Sequence, residues 1–282
     1  MRLRLEAMAR GLARRNETEI AGWRAMLQAL GQGTPAQFVD WFAIERIEGR
    51  DVDVGMHRRW VDPMAPFAAV VAQPAHGVVV TSATLTEGAG TDPIADADAF
   101  WSTAETRSGA RHLARPAIRA AVPSPFDYPA QTRVYVVTDV RKDDLDQVAA
   151  AYRSLFLAAG GGGLGLFTAV ARLRHVHRRI AGPLDEAGLT LLAQHVDGLD
   201  AATLIDIFRA EEDACLLGTD AVRDGVDVPG RSLRLIVFDR VPWPRPDILY
   251  RARHAHFGGA RYTDRETRYR LKQAFGRLIR RA

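Results

Sequence analysis

The sequence has 282 residues, 47% of them hydrophobic, which is enough to bury the core of one large domain or two smaller ones. No stretch approaches the roughly 20 uninterrupted apolar residues that a membrane-spanning helix needs. The N-terminal residues lack the apolar core and cleavage site of a secretion signal. The single cysteine, Cys215, excludes an internal disulfide framework and an all-cysteine metal site. These features predict a cytoplasmic protein with no membrane partner.

The net charge of +4 is unevenly distributed along the chain. Residues 223–282 contain 15 basic and six acidic side chains, a local net charge of +9. Such asymmetry is typical of a contact with a polyanion, either nucleic acid or the phosphates of a nucleotide. A solvated basic face is the alternative, and charge by itself does not separate the two.

The first 128 residues are predicted to form a partial mixed α/β segment. Apolar residues at three- and four-residue spacing indicate a helix over residues 1–30, and Gly31–Pro35 ends it. Alternating runs between residues 38 and 61 indicate strands of a small sheet, followed by a turn and a short helix at 62–67. A buried strand is expected at 77–80, and residues 86–128 show little periodicity and are interpreted as an irregular crossing between domains.

The second half of the chain is predicted to be regular α/β structure. Strands are expected at 134–138, 164–167, 189–195, 214–217 and 233–238, and helices at 145–159, 169–180, 201–211 and 265–280. Because these strands are continuous apolar runs that alternate with helices, they favour a parallel sheet with helices on both faces. Ligands of such sheets bind at the carboxyl ends of the strands.

Three segments lie where that rule places ligand contacts. They are Thr81–Leu85 (TSATL), Leu217–Gly230 (LGTDAVRDGVDVPG) and Gln273–Arg280 (QAFGRLIR). In a helix, the last segment places Gln273, Arg277 and Arg280 on one face, and an arginine fork matches the oxygens of a phosphate. Each segment also has an interpretation without function. Thr81–Leu85 would be a turn, Leu217–Gly230 a capped surface loop and Gln273–Arg280 an amphipathic surface helix.

In combination and in this order, the three segments resemble motifs III, V and VI of superfamily 2 helicases. GVDVPG, with Ser124–Asp127 (SPFD) upstream and QAFGRLIR downstream, resembles the DinG/XPD branch in particular. Residues 165–173 are similar to the motif IV region of that branch. The resemblance covers roughly residues 60–282 and implies a RecA-like α/β fold that works as part of an ATP-dependent DNA helicase.

The resemblance also implies roles for individual residues. Arg280 and Arg277 would be the arginines that face the triphosphate of ATP, with Arg280 as the arginine finger, and Gln273 would orient their helix or touch the nucleotide. Gly225 and Asp227 would belong to the loop that senses nucleotide.

The resemblance implies roles for four further residues, two in DNA binding and two in coupling ATP hydrolysis to domain movement. Thr168 and Arg172 would contact the backbone of single-stranded DNA. Ser82 and Thr84 would couple hydrolysis to domain movement.

The resemblance further implies a division of the chain. Residues 1–75 would end an inserted arch-like region and return to the first motor domain. Residues 76–125 would hold the motif III strand and a crossing segment, and residues 126–282 a second RecA-like domain, truncated at its C-terminus.

The chain departs from the family in several ways. It has no GxxxxGK[ST] phosphate-binding loop, no DEAH-like acidic box and no set of four cysteines for an iron–sulfur cluster. We therefore expect a fragment whose site for ATP and Mg²⁺ is completed by a missing N-terminal motor domain, and which is inactive alone.

Two alternatives remain open at this stage. One is a catalytically inactive nucleic-acid-binding module derived from a helicase motor domain. The other is an unrelated doubly wound enzyme that binds a small metabolite, although the sequence has no nucleophile elbow.

Overall fold

A computed structural model describes residues 2–86, 97–225, 227–228 and 230–279. Through residue 131 its elements are α1 (Arg2–Leu30), β1 (Phe38–Ile47), β2 (Arg50–Trp60), α2 (Met64–Phe67), α3 (Ala97–Ser108) and α4 (Tyr128–Gln131). The remaining elements are α5 (Leu145–Ala159), β3 (Gly163–Leu166), α6 (Val170–Asp185), β4 (Leu191–Ala193), α7 (Ala201–Ala210), β5 (Cys215–Gly218), α8 (Asp220–Gly225), β6 (Leu235–Phe238), α9 (Ile248–His256) and α10 (Ala260–Phe275).

The chain divides into two compact units. Unit 1 comprises residues 1–118 and 244–264, and unit 2 comprises residues 119–243 and 265–282. The division places the α9 segment with unit 1, and the three-part division expected from the resemblance stays a prediction. None of the helices in the part of the chain that the structure describes is long and apolar enough to cross a membrane.

Unit 1 contains the predicted small sheet, which is an antiparallel hairpin of β1 and β2. Asp40 and Arg58 lie opposite each other on the two strands. Arg58 donates two hydrogen bonds of 2.8 and 2.7 Å to the buried carboxylate of Asp40. These bonds lower the pKa of Asp40. Arg253 of α9 donates to the carbonyl of Val61 at 3.1 Å, which explains why this distant segment belongs to unit 1.

Unit 2 contains a parallel four-stranded sheet in the order β4-β5-β3-β6, which confirms the predicted α/β fold. Successive residues of a strand point to opposite faces, so each strand contributes to two cores. Leu164, Leu166 and Leu216 pack against α7, α8 and α10 on one face. Cys215 and Leu217 pack against α5 and α6 on the other face, where burial raises the pKa of Cys215 to about 11.

Two predicted strands are wrong. Residues 77–80 and 134–138 lie outside the strands of the described structure, and their valines are exposed, with Val79 at 91% and Val136 at 82%. Both are apolar, β-branched runs, which explains the prediction. A strand also needs a neighbour for its backbone hydrogen bonds, and neither run is in a sheet of the described residues.

Helices replace predicted irregular structure at three places. α3 lies inside the predicted irregular crossing, where Phe100 and Ala104 are buried four residues apart. α8 lies inside the segment Leu217–Gly230, which was predicted as a loop. α9 begins within Ile236–Arg253, which by resemblance to the same family was predicted to be a strand followed by a proline-rich loop, and Asp247 accepts from the backbone N–H of Tyr250 at the start of the helix.

Close packing in the centre of the sheet requires a glycine at residue 165. A Cβ atom there would lie 2.7 Å from the side chains of Tyr152 and Leu217, which are both buried. We expect Gly165→Ala to lower the free energy of unfolding by about 1–3 kcal/mol through overpacking. Urea denaturation of the chain measures this change.

Gly182 provides the matched control. It lies in α6, and a Cβ atom there would meet no atom within 4 Å. Gly182→Ala is expected to leave stability unchanged or to raise it by about 0.5–1 kcal/mol. Equal denaturation midpoints for the two variants would contradict the packing argument.

Candidate functional site

The carboxyl ends of the four parallel strands lie along one edge of the sheet of unit 2. β3, β4, β5 and β6 are followed there by polar residues, respectively Thr168, Gln194, Thr219 and Asp239. Main-chain hydrogen bonds continue beyond the strands, from Phe167 to the carbonyl of Gly218 at 2.9 Å and from Asp239 to the carbonyl of Leu166 at 3.0 Å. These residues are therefore held by the sheet itself.

Arg172 and Asp239 form a buried ion pair at this edge. Two hydrogen bonds of 2.7 and 2.6 Å join the guanidinium to the carboxylate, whose side chain is fully buried. Arg172 also donates to the carbonyl of Lys142 at 2.8 Å. The hydrogen bond with Asp239 raises the pKa of Arg172. The guanidinium thus joins α6, the end of β6 and the segment before α5, and a DNA contact by Arg172 stays a prediction.

Thr168 lies in the short turn between β3 and α6 and is half-buried. The turn places it at the same edge as Arg172, four residues further along the chain. Both are candidates for contacts with a nucleic acid backbone, and the structure places them in one region of unit 2.

The β5–α8 junction begins the segment that resembles motif V. Gly218 ends β5, and a Cβ atom there would lie 2.5 Å from the side chain of Val222, so only glycine allows α8 to pack this closely. α8 ends at Gly225. Asp227 is exposed, and its main-chain carbonyl accepts a hydrogen bond of 3.1 Å from Arg209. Val226 and Pro229 lie outside the described residues.

The helix that was predicted to carry Arg277 and Arg280 ends before either residue. α10 ends at Phe275, and a turn over Gly276–Leu278 follows, closed by i→i+3 bonds to Ala274 and Phe275. Gln273 and Arg277 therefore do not share a continuous helical face, and that expectation is wrong. Gln273 is exposed and Arg277 is half-buried, while Arg280 lies outside the described residues.

The segment Ser124–Asp127 lies near this helix end. Asp127 accepts from the backbone of Ala130 and so caps α4, and the ring of Tyr128 lies 5.7 Å from that of Phe275. Two segments that carry the family resemblance, distant in sequence, thus meet in unit 2.

Ser82 and Thr84 belong to unit 1. Their hydroxyl oxygens are 3.3 Å apart, the backbone of Thr84 donates to Ser82 Oγ at 3.1 Å, and Arg107 donates to the carbonyl of Thr84 at 3.1 Å. Because they lie in a different unit from the strand edge, their predicted coupling role stays a prediction.

Sequence analysis missed Gln194. This side chain is only 8% exposed, and its Oε1 accepts from the backbone and hydroxyl of Thr219 at 2.9 and 2.8 Å. The available signal was a polar residue directly after a buried parallel strand. Across the described ranges, no group of three or more His, Cys, Asp or Glu side chains is placed to hold a metal ion.

Comparison with known families identifies the part of the chain that contains the parallel sheet of unit 2. Residues 153–282 match the family described as helicase C-terminal domain, and the most similar relatives include an ATP-dependent helicase DinG. These residues form a DinG-type helicase C-terminal domain. The matched range contains the whole parallel sheet and the residues at its carboxyl edge.

The relatives are considerably longer than this chain. ATP-dependent helicase DinG of Mycobacterium tuberculosis is 34% identical over 60% of the chain and 24% of its own length. ATP-dependent DNA helicase YoaA of Escherichia coli is 28% identical over 56% of the chain and 26% of its own length. The 3'-5' exonuclease DinG of Bacillus subtilis is 30% identical over 45% of the chain and 14% of its own length. The chain thus spans about a quarter or less of the length of these relatives.

Proposed function

We propose that this chain is the C-terminal motor part of an ATP-dependent DNA helicase of the DinG type. The observation that carries the proposal is the parallel sheet β4-β5-β3-β6 in a range that matches a helicase C-terminal domain, in which the segment that resembles motif V directly follows β5. The two relatives named as ATP-dependent helicases support the same activity.

The groups near the end of α10 suit a phosphate ligand. Gln273 is exposed and supplies an amide, Arg277 supplies a guanidinium, and Arg280 follows three residues later. Amide and guanidinium donors bind phosphate oxygens, whereas Mg²⁺ requires oxygen ligands such as carboxylates. We therefore assign the phosphate contacts to these residues and the Mg²⁺ ligands to a motor domain outside this sequence.

In this proposal Arg280 and Arg277 stabilise negative charge on the transferred phosphoryl group. A guanidinium stays charged at all relevant pH values and binds two oxygens at once, so it needs no proton transfer to act. ATP supplies the energy of phosphoryl transfer, and the protein contributes position and charge. Gln273 orients the chain that leads to these arginines, and Asp227 with Gly225 forms the loop that responds to the nucleotide.

Hydrolysis by the full-length gene product tests the proposal. We expect ATP turnover that requires Mg²⁺ and increases when single-stranded DNA is added. Binding of DNA without any ATP turnover would instead support the alternative, an inactive nucleic-acid-binding module.

A backbone contact with single-stranded DNA predicts salt-sensitive binding. Thr168 lies next to α6, whose start Arg172 holds through its buried pair with Asp239, and the exposed Arg178 lies on α6. Contacts from such hydroxyl and guanidinium groups hold phosphates without reading bases. We expect the chain to bind a single-stranded oligonucleotide weakly, with the logarithm of the affinity falling by about 0.7 per phosphate contact as the logarithm of the salt concentration rises. Fluorescence anisotropy over a salt series measures the slope, and a slope of zero would contradict a phosphate contact.

A further inference from the structure

The buried amide of Gln194 lies between two regions that the proposed function assigns to different ligands. On one side is the β5–α8 junction, which leads to the nucleotide-sensing residues Gly225 and Asp227. On the other side is α6, which begins beside Thr168 and carries Arg172 on the proposed DNA side. Gln194 directly follows β4, the neighbour of β5 in the sheet.

The contacts of Gln194 with Thr219 are specific. A backbone N–H can only donate, so the atom 2.9 Å from the nitrogen of Thr219 is the amide oxygen of Gln194, and the same oxygen is 2.8 Å from Thr219 Oγ1. The carbonyl of Thr219 in turn accepts from the backbone of Val222 at 3.0 Å, in the first turn of α8. The position of the amide oxygen therefore determines where α8 begins.

The turn after Gln194 is fixed to α6. Two bonds from the guanidinium of Arg174, at 3.3 and 3.1 Å, reach the carbonyl of His195. His195 has a φ of 66°, a left-handed conformation that is unfavourable for a residue with a side chain. Asp197 accepts from the backbone of Ala193 at 2.7 Å and closes the turn on itself. A residue stays in such a conformation only where several contacts impose it, and these contacts do so.

We infer that Gln194 is a positioning residue that couples the nucleotide-sensing segment to the DNA side of the motor. Arg174, the carbonyl of His195, Gln194 and Thr219 form one continuous series of contacts from α6 to the start of α8. A displacement of α6 by bound DNA would move the amide oxygen, and with it the first turn of α8. The inference rests on the proposed function, because it assigns a role in that reaction.

Gln194→Met tests the coupling in the full-length gene product. Methionine preserves the length of the side chain but removes the amide oxygen, so the backbone N–H of Thr219 loses its acceptor. We expect the ratio of DNA-stimulated to basal ATP turnover to fall about tenfold, within the range that coupled sites typically show. Gln194→Glu retains an acceptor oxygen at the same place and is expected to restore most of the ratio.

Ser232→Ala is the matched control for a loss of stability alone. Its hydroxyl is also buried and donates to the carbonyl of Arg209 at 3.2 Å, but it precedes β6, at the opposite end of the strands. Assayed well below the melting temperature, it is expected to keep the wild-type ratio. An unchanged ratio in Gln194→Met, or an equal loss in Ser232→Ala, would overturn the inference.

A second pair of variants serves if Gln194→Met does not fold. Thr219→Val removes the hydroxyl but keeps the backbone N–H, whereas Thr219→Ser keeps both donors. We expect the stimulation ratio to fall in the first variant and to be retained in the second, and equal ratios would refute the coupling. A wild-type protein without DNA-stimulated turnover would instead refute the proposed function, which makes the two failures distinguishable.

Discussion

Arg280→Ala is expected to abolish DNA-stimulated ATP hydrolysis by the full-length gene product. An arginine that stabilises the transferred phosphoryl group contributes about 10³–10⁵ in rate, so turnover should fall by at least about 10³. Arg280→Lys is expected to recover little, because a lysine ammonium lacks the planar fork that binds two oxygens. Release of phosphate under saturating ATP and DNA measures both variants.

Arg281→Ala is the control for the loss of a positive charge at the same place in the sequence. It removes the adjacent arginine and is expected to reduce turnover only slightly. Near-normal turnover in Arg280→Ala would refute its assignment as the arginine finger, and unaltered thermal unfolding of the variant would exclude misfolding as the cause of a loss.

Asp239→Ala is expected to destabilise unit 2 by about 3–5 kcal/mol, because it leaves the buried guanidinium of Arg172 without its counter-charge. The pair is nearly inaccessible to solvent, at 13% exposure for the arginine side chain and 0% for the aspartate. Urea denaturation followed by far-UV circular dichroism measures the loss. A double variant, Arg172→Met with Asp239→Leu, removes both charges and is expected to recover most of the stability.

The neighbouring ion pair of Arg240 and Asp143 provides the control. A guanidinium nitrogen of Arg240 lies 2.6 Å from a carboxylate oxygen of Asp143, but the side chains of Arg240 and Asp143 are 38% and 75% exposed, respectively. Asp143→Ala is expected to cost less than about 1 kcal/mol, since exposed pairs contribute little. If both aspartate variants lost the same stability, burial of the Arg172–Asp239 pair would not be the source of its effect.

Sequence patterns predicted the part of the fold in which local and tertiary preferences agree. Helix α5 has the predicted bounds, since Asp144 caps its start and Gly160 ends it in a left-handed conformation. The four strands of unit 2 were predicted from their apolar runs to within a few residues, because the central strands β3 and β5 are fully buried and β4 and β6 are at least partly buried. Residues 77–80 and 134–138 have the same composition but no strand beside them in the described structure, and a sequence pattern does not report a missing neighbour.

The candidate site was predicted less completely than the fold. Motif order correctly indicated a DinG-type helicase part, as the match to the helicase C-terminal domain and the DinG relatives together support. The pairing of Arg172 with Asp239 was not predicted, since 67 residues separate the two and only the sheet brings them together. Gln194 has no distinguishing sequence motif, and its importance depends on the adjacency of β4 and β5. The end of α10 at Phe275 depends on the turn at Gly276, which the apparent helical spacing of the arginines concealed.

The burial of Cys215 provides a chemical probe of the sheet. It is the only cysteine in the sequence, its side chain is inaccessible at the start of β5, and the raised pKa keeps its sulfur as an unreactive thiol near neutral pH. A thiol reagent such as an aromatic disulfide can therefore modify the native chain only after the sheet opens. The rate of modification, followed with and without nucleotide or DNA, then reports how often unit 2 opens, without the introduction of any label.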